Sequence, residues 1–334
     1  MKLGICANWG EDLDAFRTEI RTAAEHGYQV VGVGDTPAGW HDMHVSLTLA
    51  ALDAPEATIT PMVTSPFLRH PLISASALCS LYDLRGGNVA CGLATGGSNV
   101  LALGRGRATQ SQIRAEFNAL RALFAGQSIE WDGRTTSSLR FARDVPIYYS
   151  AFGPKAFALA GEQADGAILF TGSEQLDGLR AKIAAVRDAA KGAARDPDDV
   201  DIWVISYASV RPTRAEAIAD LKAFIAVNAL AIGMAPGGLA GVPVEHRSAI
   251  EEFNRRYDPS HHVQVDGPAV QMMEELGLTE YLSEFDTSMG DVAEMTTLLR
   301  ELERMGVSTF IASLPGHADP LTTIRGLAAA RDAM

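Results

Sequence analysis

Residues 58–71 read Thr-Ile-Thr-Pro-Met-Val-Thr-Ser-Pro-Phe-Leu-Arg-His-Pro, an apolar run that changes into hydroxyl groups, prolines, an arginine and a histidine. A strand of a parallel sheet is buried on both faces and therefore reads as a continuous apolar run. The change begins at Thr64 and Ser65 and continues to Arg69 and His70. This pattern predicts a buried strand that ends at a polar site.

Seven further segments share this strand character, being short and rich in Val, Ile, Ala, Cys and Tyr. The eight predicted strands are residues 2–7, 29–34, 58–63, 88–94, 146–150, 166–170, 201–210 and 307–313. Between them apolar residues recur at intervals of three and four, which is typical of amphipathic helices. Thr213 with Glu216 and Ser288 with Asp291 resemble capping boxes at two helix starts. Strands that alternate with helices predict a parallel sheet.

Eight strand and helix units in 334 residues favour an α/β fold of the (β/α)8 TIM-barrel type over an open doubly wound sheet. An open sheet that binds a dinucleotide would carry GxGxxG after its first strand. Residues 7–10 are Ala-Asn-Trp-Gly instead. Two long connections, about residues 100–145 after strand 4 and about 232–290 after strand 7, are predicted insertions within a single domain spanning residues 1–334.

Composition excludes several classes of function. The formal net charge of −13 argues against a nucleic-acid surface, which needs clustered lysines and arginines. The sequence contains no apolar run long enough to span a membrane and no signal-peptide layout at residues 1–4, so we expect a cytoplasmic protein. Cys6, Cys79 and Cys91 form no CxxC pair and are expected to be small buried thiols.

The polar residues after the strands define the expected site, because catalytic groups of a barrel collect at the carboxyl ends of its strands. They are rich in hydroxyl groups and carry few charges, which suits hydrogen bonding to a large polar cofactor. Those that follow the first six strands include Asn8, Trp9, Asp35, Thr36, Trp40, His41, Thr64, Ser65, Thr95, Ser98, Ser150, Lys155 and Thr171.

The turn at residues 150–155 opens a predicted helix, with Pro154 at the first helical position. Free N–H groups, the positive end of the helix and Lys155 together could hold a phosphate. The alternative is ordinary capping of the helix by Ser150 and Gly153.

Metal binding and hydrolase chemistry are the alternatives to this cofactor site. His41 and His44 are three residues apart, but no carboxylate or third histidine has a matching spacing, so no metal site is predicted. The nucleophile motif GxSxG is absent. A barrel hydrolase or lyase that uses Asp35 with nearby histidines and no flavin is the alternative from another class, and a binding protein without a cofactor is a third.

Five short motifs in order resemble those of the luciferase-like flavin and deazaflavin oxidoreductases, within the branch similar to F420-dependent methylenetetrahydromethanopterin reductase. The resemblance covers nearly the whole chain, and it is the order and spacing of the motifs that are specific. The motifs are Val-Gly-Asp-Thr-Pro at residues 33–37, Val-Thr-Ser-Pro at 63–66 with Arg-His-Pro at 69–71, Gly-Leu-Ala-Thr-Gly-Gly-Ser at 92–98, Gly-Pro-Lys-Ala at 153–156, and Ala-Asp-Gly-Ala at 164–167.

The resemblance implies a TIM barrel that binds coenzyme F420 or FMN at the carboxyl ends of its strands. It also implies a non-prolyl cis peptide bond on the third strand, here between Met62 and Val63. The positions that match the family's cofactor site are Asp35, Thr36, Met62, Val63, Thr64, Ser65, Thr95, Gly96, Ser98, Ser150, Phe152, Gly153, Lys155 and Thr171.

The chain departs from the family pattern at two of these positions. Thr36 stands where many relatives have histidine, and Ser65 stands where many have asparagine. Because threonine does not titrate near neutral pH, His41 becomes the candidate proton donor beside the candidate catalytic Asp35. An exposed loop histidine is the alternative for His41. Candidate substrate contacts are Trp9, Trp40 and His262.

The leading functional hypothesis is hydride transfer between coenzyme F420 and a small organic substrate, with a slight preference for F420 over FMN. A reduced-FMN-dependent monooxygenase of the same family is the alternative. The resemblance further implies a homodimer and a separate flavin or F420 reductase as a possible partner. Neither a nucleic acid nor a membrane is expected to be a partner.

Overall fold

The computed structural model describes residues 1–171, 176–233, 238–258, 261, 264–285, 288–314, 317 and 319–334. Within these residues every segment predicted as a strand contains one. The strands are β1 (Lys2–Ala7), β2 (Val30–Val33), β3 (Thr58–Pro61), β4 (Cys91–Leu93), β5 (Glu130–Trp131), β6 (Arg134–Thr135), β7 (Ile147–Ser150), β8 (Gly166–Phe170), β9 (Asp201–Tyr207), β10 (Ser209–Val210), β11 (Met289–Gly290) and β12 (Thr309–Ser313).

Helices connect the strands and surround them. They are α1 (Leu13–Glu25), α2 (Met43–Asp53), α3 (Pro71–Arg85), α4 (Ser98–Leu101), α5 (Gln110–Phe124), α6 (Pro154–Gln163), α7 (Leu176–Gly192), α8 (Arg214–Gly233), α9 (Val244–Arg256), α10 (Pro268–Glu275), α11 (Thr279–Ser283), α12 (Val292–Arg304) and α13 (Pro320–Asp332).

Eight strands form one parallel sheet in the order β3-β2-β1-β12-β9-β8-β7-β4. The two edge strands meet, because parallel bridges join Ile59 to Val89 and Thr64 to Leu93. The sheet is therefore closed into a barrel, and the predicted TIM-barrel fold is confirmed. All eight strand carboxyl ends point to the same mouth.

Side chains fill the interior of the barrel near the amino ends of the strands. Tyr148 and Trp203 stack there with their ring centroids 3.9 Å apart. Both donate a 2.8 Å hydrogen bond to Asp201 Oδ2, so this partly buried polar cluster is paired. Gly166 makes room for it, since a Cβ at this position would lie 2.2 Å from the Tyr148 ring.

One of the two predicted capping boxes is present. Thr213 and Glu216 each bond the backbone N–H of the other, as expected. The second prediction was wrong, because α12 is capped by Asp291 and Glu294. Ser288 instead lies in front of β11 and donates a 2.7 Å bond to Ser206 on the barrel.

The connection after β9 builds a hydrophobic cluster of its own. Side chains of α8 to α11 pack together there, with Phe224 and Phe253 among the buried residues. The connection after β4 contains α5, which packs against α3 and α6 as a barrel helix does. The single-domain organisation stays a prediction. None of the described helices is both long enough and apolar enough to cross a bilayer.

Candidate active site

A cavity of about 650 Å³ opens at the carboxyl ends of the strands. Its size is in the range of small-molecule and cofactor sites. The residues that line it come from nearly every barrel strand and the loop that follows it. They are Cys6, Asn8, Gly34, Asp35, Thr36, Trp40, Met62, Val63, Ala94, Thr95, Gly96, Gly97, Asn99, Arg107, Ala108, Gln110, Tyr149, Ser150, Phe152, Ala156, Ile168, Phe170, Ile205, Tyr207 and Ser313.

Many of the predicted site residues lie on this cavity, and their roles in binding stay predictions. Those that line it are Asp35, Thr36, Trp40, Met62, Val63, Thr95, Gly96, Ser150 and Phe152. Those outside the lining are Trp9, His41, Thr64, Ser65, Gly153, Lys155 and Thr171. His262 lies outside the described residues, as does the side chain of Ser98.

The peptide bond between Met62 and Val63 is cis, as the family resemblance implied. It lies at the end of β3 and forms one wall of the cavity. Two glycines let the neighbouring strands approach this wall. A Cβ at Gly92 would lie 2.1 Å from the Pro61 carbonyl oxygen, and a Cβ at Gly32 would lie 2.6 Å from Met62 Cβ.

Asp35 is the charged centre of the site, and its side chain is only 2 % exposed. Its Oδ2 accepts a 2.6 Å hydrogen bond from Thr64 Oγ1 and a 2.5 Å bond from Arg69. Because Arg69 neutralises the carboxylate and Thr64 binds it, a buried negative charge is tolerated here. No described residue donates a bond to its Oδ1, and Asp35 is one of the residues that line the cavity.

Arg69 also reaches the start of α2, where it donates a 3.1 Å bond to Asp42. Burial by itself would raise the pKa of Asp42, but bonds from Val45 N–H and Arg69 hold it below its usual value. Burial lowers the pKa of the adjacent His44, and the Arg69 charge adds to that effect. Arg69 therefore connects the cavity to the α2 surface through two carboxylates.

Besides Tyr149 Oη on the cavity lining, two buried hydroxyl groups just outside the lining lack a partner among the described residues. They are Ser65 Oγ, which follows β3, and Thr171 Oγ1, which follows β8. Both side chains are nearly fully buried. An unpaired buried hydroxyl is unfavourable unless a ligand or water satisfies it, so the described residues do not by themselves account for these two groups.

The amino end of α6 is not capped by a side chain. Ser150 therefore does not provide the ordinary capping that the sequence left open. Gly153 occupies the position before the helix with φ +84°, and a Cβ there would meet no atom within 4 Å. The exposed helix end is therefore accessible to an anionic group.

Aromatic side chains form the opposite wall of the cavity. Phe170 lies between Phe152 and Tyr207, with ring centroids 6.3 Å and 5.3 Å away respectively. Tyr207 in turn stacks on Phe224 of α8 at 3.8 Å. The aromatic row thus runs from the rim of the cavity, where Phe152 is exposed, to the hydrophobic cluster after β9.

Three residues singled out from the sequence have other contacts. His41 is exposed and packs on Trp9, with ring centroids 4.1 Å apart. Trp9 packs further onto Phe16 of α1. His70 caps α3 by accepting a 3.1 Å bond from Leu72 N–H. The role of His41 as proton donor stays a prediction.

Sequence reasoning missed several residues of the cavity. Tyr207 and Ser313 stand at the ends of β9 and β12, where the strand-end rule would have found them if applied to the last two strands. Arg107 and Gln110 come from the long loop after β4 and the start of α5. Nothing in the local sequence indicates that this loop returns to the barrel mouth.

The cavity lining includes the thiol of Cys6. Burial raises the pKa of the Cys6 thiol to about 12. The three cysteines are buried and unpaired, as the sequence predicted. No group of three or more histidine, cysteine, aspartate or glutamate residues that could hold a metal ion occurs in the part of the chain described.

The family model described as luciferase-like monooxygenase matches residues 1–309. A 5,10-methylenetetrahydromethanopterin reductase from Methanolobus tindarius is 30% identical over 204 residues, which cover 59% of this chain and 62% of that protein. The match therefore spans less than two thirds of that relative. An F420-dependent glucose-6-phosphate dehydrogenase from Nakamurella multipartita is 28% identical over 74% of this chain and 77% of its own length.

A solved structure has the same fold over almost its full length. The coenzyme F420-dependent tetrahydromethanopterin reductase from Methanopyrus kandleri superposes with a TM-score of 0.77 at 21% identity. The match covers 98% of this chain and 97% of that one. At this identity the superposition demonstrates the fold of the chain.

Proposed function

Because the chain belongs to the luciferase-like monooxygenase family, we propose that it is an oxidoreductase that transfers a hydride between coenzyme F420 and a small organic substrate. The preference for F420 over FMN is supported by relatives whose names include F420 dependence or methylenetetrahydromethanopterin reduction. The observation that carries the proposal is the cavity, where the buried carboxylate of Asp35, hydroxyl side chains on the lining and the cis peptide bond surround space for a planar cofactor.

The residues present fit such a cofactor. Asp35 offers a carboxylate oxygen to which no described residue donates a bond, and Thr36, Thr95 and Ser150 offer hydroxyl groups on the lining. The uncapped end of α6 and the guanidinium of Arg107 are suited to the phosphate that both F420 and FMN carry. When bound, the deazaflavin would supply the two-electron hydride chemistry, and the protein would supply position and exclusion of water.

Asp35 Oδ2 is paired with Arg69 and accepts a bond from Thr64, so in this geometry the carboxylate serves as a hydrogen-bond acceptor. A different group must therefore supply a proton when the product needs one. We keep His41 as the proposed donor. Its ring packs on Trp9 outside the cavity lining, so proton delivery would require a rotation of the ring or an intervening water.

A reduced-FMN-dependent monooxygenase is the second candidate, and the description of the matching family favours it. Both candidates use the same cavity and the same contacts to a phosphate. A hydrolase or lyase without a flavin gains no support from the family.

Equilibrium titration distinguishes these candidates. Purified protein is titrated with F420 and, separately, with FMN, and quenching of cofactor fluorescence is recorded. We expect one F420 per chain and a dissociation constant at least about tenfold lower for F420 than for FMN. Negligible binding of both would contradict the proposal, and tighter binding of FMN would favour the monooxygenase.

Two arginine variants test the cofactor contacts in the same titration. Arg107→Gln should weaken F420 binding about tenfold, because a charge-assisted bond to phosphate is lost. Arg134→Gln on the β6 hairpin is the matched control, since Arg134 is exposed and does not line the cavity. Equal affinities of the two variants would show that Arg107 does not bind the cofactor.

We also propose that the protein is a cytoplasmic homodimer. The supporting feature is an apolar surface on α2 and α3, formed by Val45, Leu52, Ile73 and Leu84, each more than half exposed. Two neighbouring helices that present one apolar surface can pair with the same surface of a second copy around a twofold axis. A separate reductase for F420 or flavin remains a proposed partner.

Light scattering after size-exclusion chromatography tests the dimer. The wild-type protein should have twice the mass of the chain, and Leu52→Asp should shift it towards the monomer. Leu103→Asp is the control, because Leu103 has similar exposure on the loop after α4. A monomeric wild-type protein would contradict the proposal.

A further inference from the structure

The sheet order places two unlike walls face to face. In a ring of eight strands, strands four positions apart lie on opposite sides, so β3 faces β9 and β2 faces β8. The Met62–Val63 edge therefore faces Tyr207, and the end of β2 with Asp35 faces Phe170. A cofactor packed on the Met62–Val63 edge would leave the aromatic wall across the cavity to the substrate.

Positive charge on the cavity is limited to one side chain. Arg107 is the sole lysine or arginine among the described residues that line it. The residues outside the described ranges include no lysine or arginine either, as the sequence shows. Arg69 is bonded to Asp35 and Asp42, and Lys155 is exposed outside the lining.

The presence of one arginine and no lysine on the described lining limits how many phosphates the cavity can bind. F420 and FMN each carry one phosphate, and the proposed site assigns Arg107 and the α6 end to it. No lysine or arginine then remains for a second phosphate on the substrate. Recognition of a phosphate normally uses arginine or lysine side chains that neutralise its charge.

The aromatic wall offers a different kind of contact. Phe170 and Tyr207 both belong to barrel strands, so their rings are held by the sheet. Tyr207 is fixed further by its stack on Phe224. A flat conjugated ligand gains from contact with such rings beyond the area it buries, because aromatic pairs have favourable offset or edge geometries.

We infer that the substrate is a flat, conjugated and unphosphorylated molecule, such as an aryl ketone or a related compound with a C=N bond, recognised by Phe170 and Tyr207. This inference rests on the proposed function. The inferred substrate differs from the one in the name of the F420-dependent glucose-6-phosphate dehydrogenase, because glucose 6-phosphate carries a phosphate. The conjugated molecule would occupy the side of the cavity formed by β8 and β9.

Calorimetric titration of the protein saturated with oxidised F420 tests the inference. The probes are acetophenone, which is flat and conjugated, cyclohexyl methyl ketone, which has a saturated ring of the same size, and glucose 6-phosphate. We expect acetophenone to bind about fivefold more tightly than the saturated ketone, the size of effect expected from aromatic contacts. Glucose 6-phosphate should show no saturable binding at concentrations where acetophenone saturates.

Variants of the aromatic wall test whether Phe170 and Tyr207 bind the substrate. Tyr207→Leu and Phe170→Leu should each weaken acetophenone binding about fivefold while the dissociation constant of F420 changes less than about twofold. Phe141→Leu is the control, because Phe141 is exposed outside the lining. Circular dichroism establishes that each variant is folded.

The outcomes separate this inference from the proposed function. If F420 fails to bind, the proposed function fails before the substrate is tested. If F420 binds but glucose 6-phosphate binds more tightly than acetophenone, or the two ketones bind equally, the substrate class is wrong and the cofactor assignment stands. If the ring variants leave acetophenone binding unchanged, the aromatic wall is not the recognition surface.

Discussion

The polar groups at the two ends of the barrel differ in whether they have hydrogen-bond partners. Near the amino ends of the strands, Tyr148 and Trp203 both donate to Asp201, and their rings stack. Around the carboxyl ends, the hydroxyl groups of Ser65 and Thr171 are buried without a partner among the described residues. The paired groups stabilise the fold, whereas the unpaired ones lower stability unless a ligand is bound. The comparison indicates which polar residues serve folding and which serve binding.

The largest effect is expected from removing the stacked ring near the amino end. Trp203→Ala should lower the free energy of unfolding by about 3–5 kcal/mol, because it leaves a cavity in the barrel and removes a partner of Asp201. Urea denaturation measures this change. The control Phe141→Ala removes an exposed ring and should cost less than about 1 kcal/mol. Equal losses of unfolding free energy in the two variants would show that the paired cluster near the amino ends does not stabilise the fold.

The next effect concerns the ion pair between Arg69 and the buried Asp35 at the mouth. Arg69→Met should destabilise the protein by about 3 kcal/mol, because the carboxylate of Asp35 stays buried without its counter-charge. The double variant Asp35→Asn with Arg69→Met should recover most of this loss, which urea denaturation of all four proteins measures as a double-mutant cycle. A double variant as unstable as the single one would show that Arg69 acts through packing alone.

A third prediction concerns α5, whose first turn reaches the cavity at Gln110 and whose middle is buried. Burial raises the pKa of Glu116 to about 8 from the ordinary 4.5. Between these values the unfolded chain is ionised while the folded chain keeps its proton. Stability contributed by this group is therefore complete below about pH 4.5 and is lost as the pH rises towards 8.

Glu116→Gln removes this dependence. From about pH 6 to about pH 8, the wild-type protein should lose about 2 kcal/mol of unfolding free energy relative to the variant, since each pH unit is worth about 1.4 kcal/mol for one proton. Urea denaturation at both pH values measures the difference. Parallel pH profiles for the two proteins would refute the raised pKa.

The smallest effect on stability is expected from removing the unpaired hydroxyl group of Thr171. Thr171→Val should change the free energy of unfolding without ligand by less than about 0.5 kcal/mol, or raise it, and should weaken F420 binding about fivefold. Thr323→Val is the matched control, because Thr323 Oγ1 accepts a 3.1 Å bond from Val210 N–H. That variant should lose about 1 kcal/mol or more and keep its affinity for F420. The reverse pattern would contradict the assignment.

Sequence reasoning predicted the fold well because the strands have a strong local signal. Each of the eight apolar segments contains a barrel strand, and the predicted cis bond between Met62 and Val63 is present. The cap at Ser288 was wrong since Ser288 bonds Ser206 on the barrel, a partner 82 residues away that no local pattern indicates.

The local signal of the strands also explains which part of the candidate site was predicted from the sequence. Residues that directly follow a strand, such as Asp35 and Thr95, line the cavity as expected. Residues carried to the mouth by a long loop, such as Arg107, were missed. Lys155 and His41 follow strands in sequence, yet the turns after those strands direct them away from the lining.

The sequence by itself determined the eight parallel strands, their closure into a barrel and the edge at which polar residues gather, because strand periodicity and strand ends are local properties of the chain. Only the tertiary structure decided that Arg69 binds Asp35 and that Arg107 is the one cation on the cavity lining of the described residues. It also decided that Tyr207 faces the Met62–Val63 edge and that Phe170 faces the end of β2. These residues are far apart in the chain. The closed ring of strands and the loops that follow the strands bring them to one cavity.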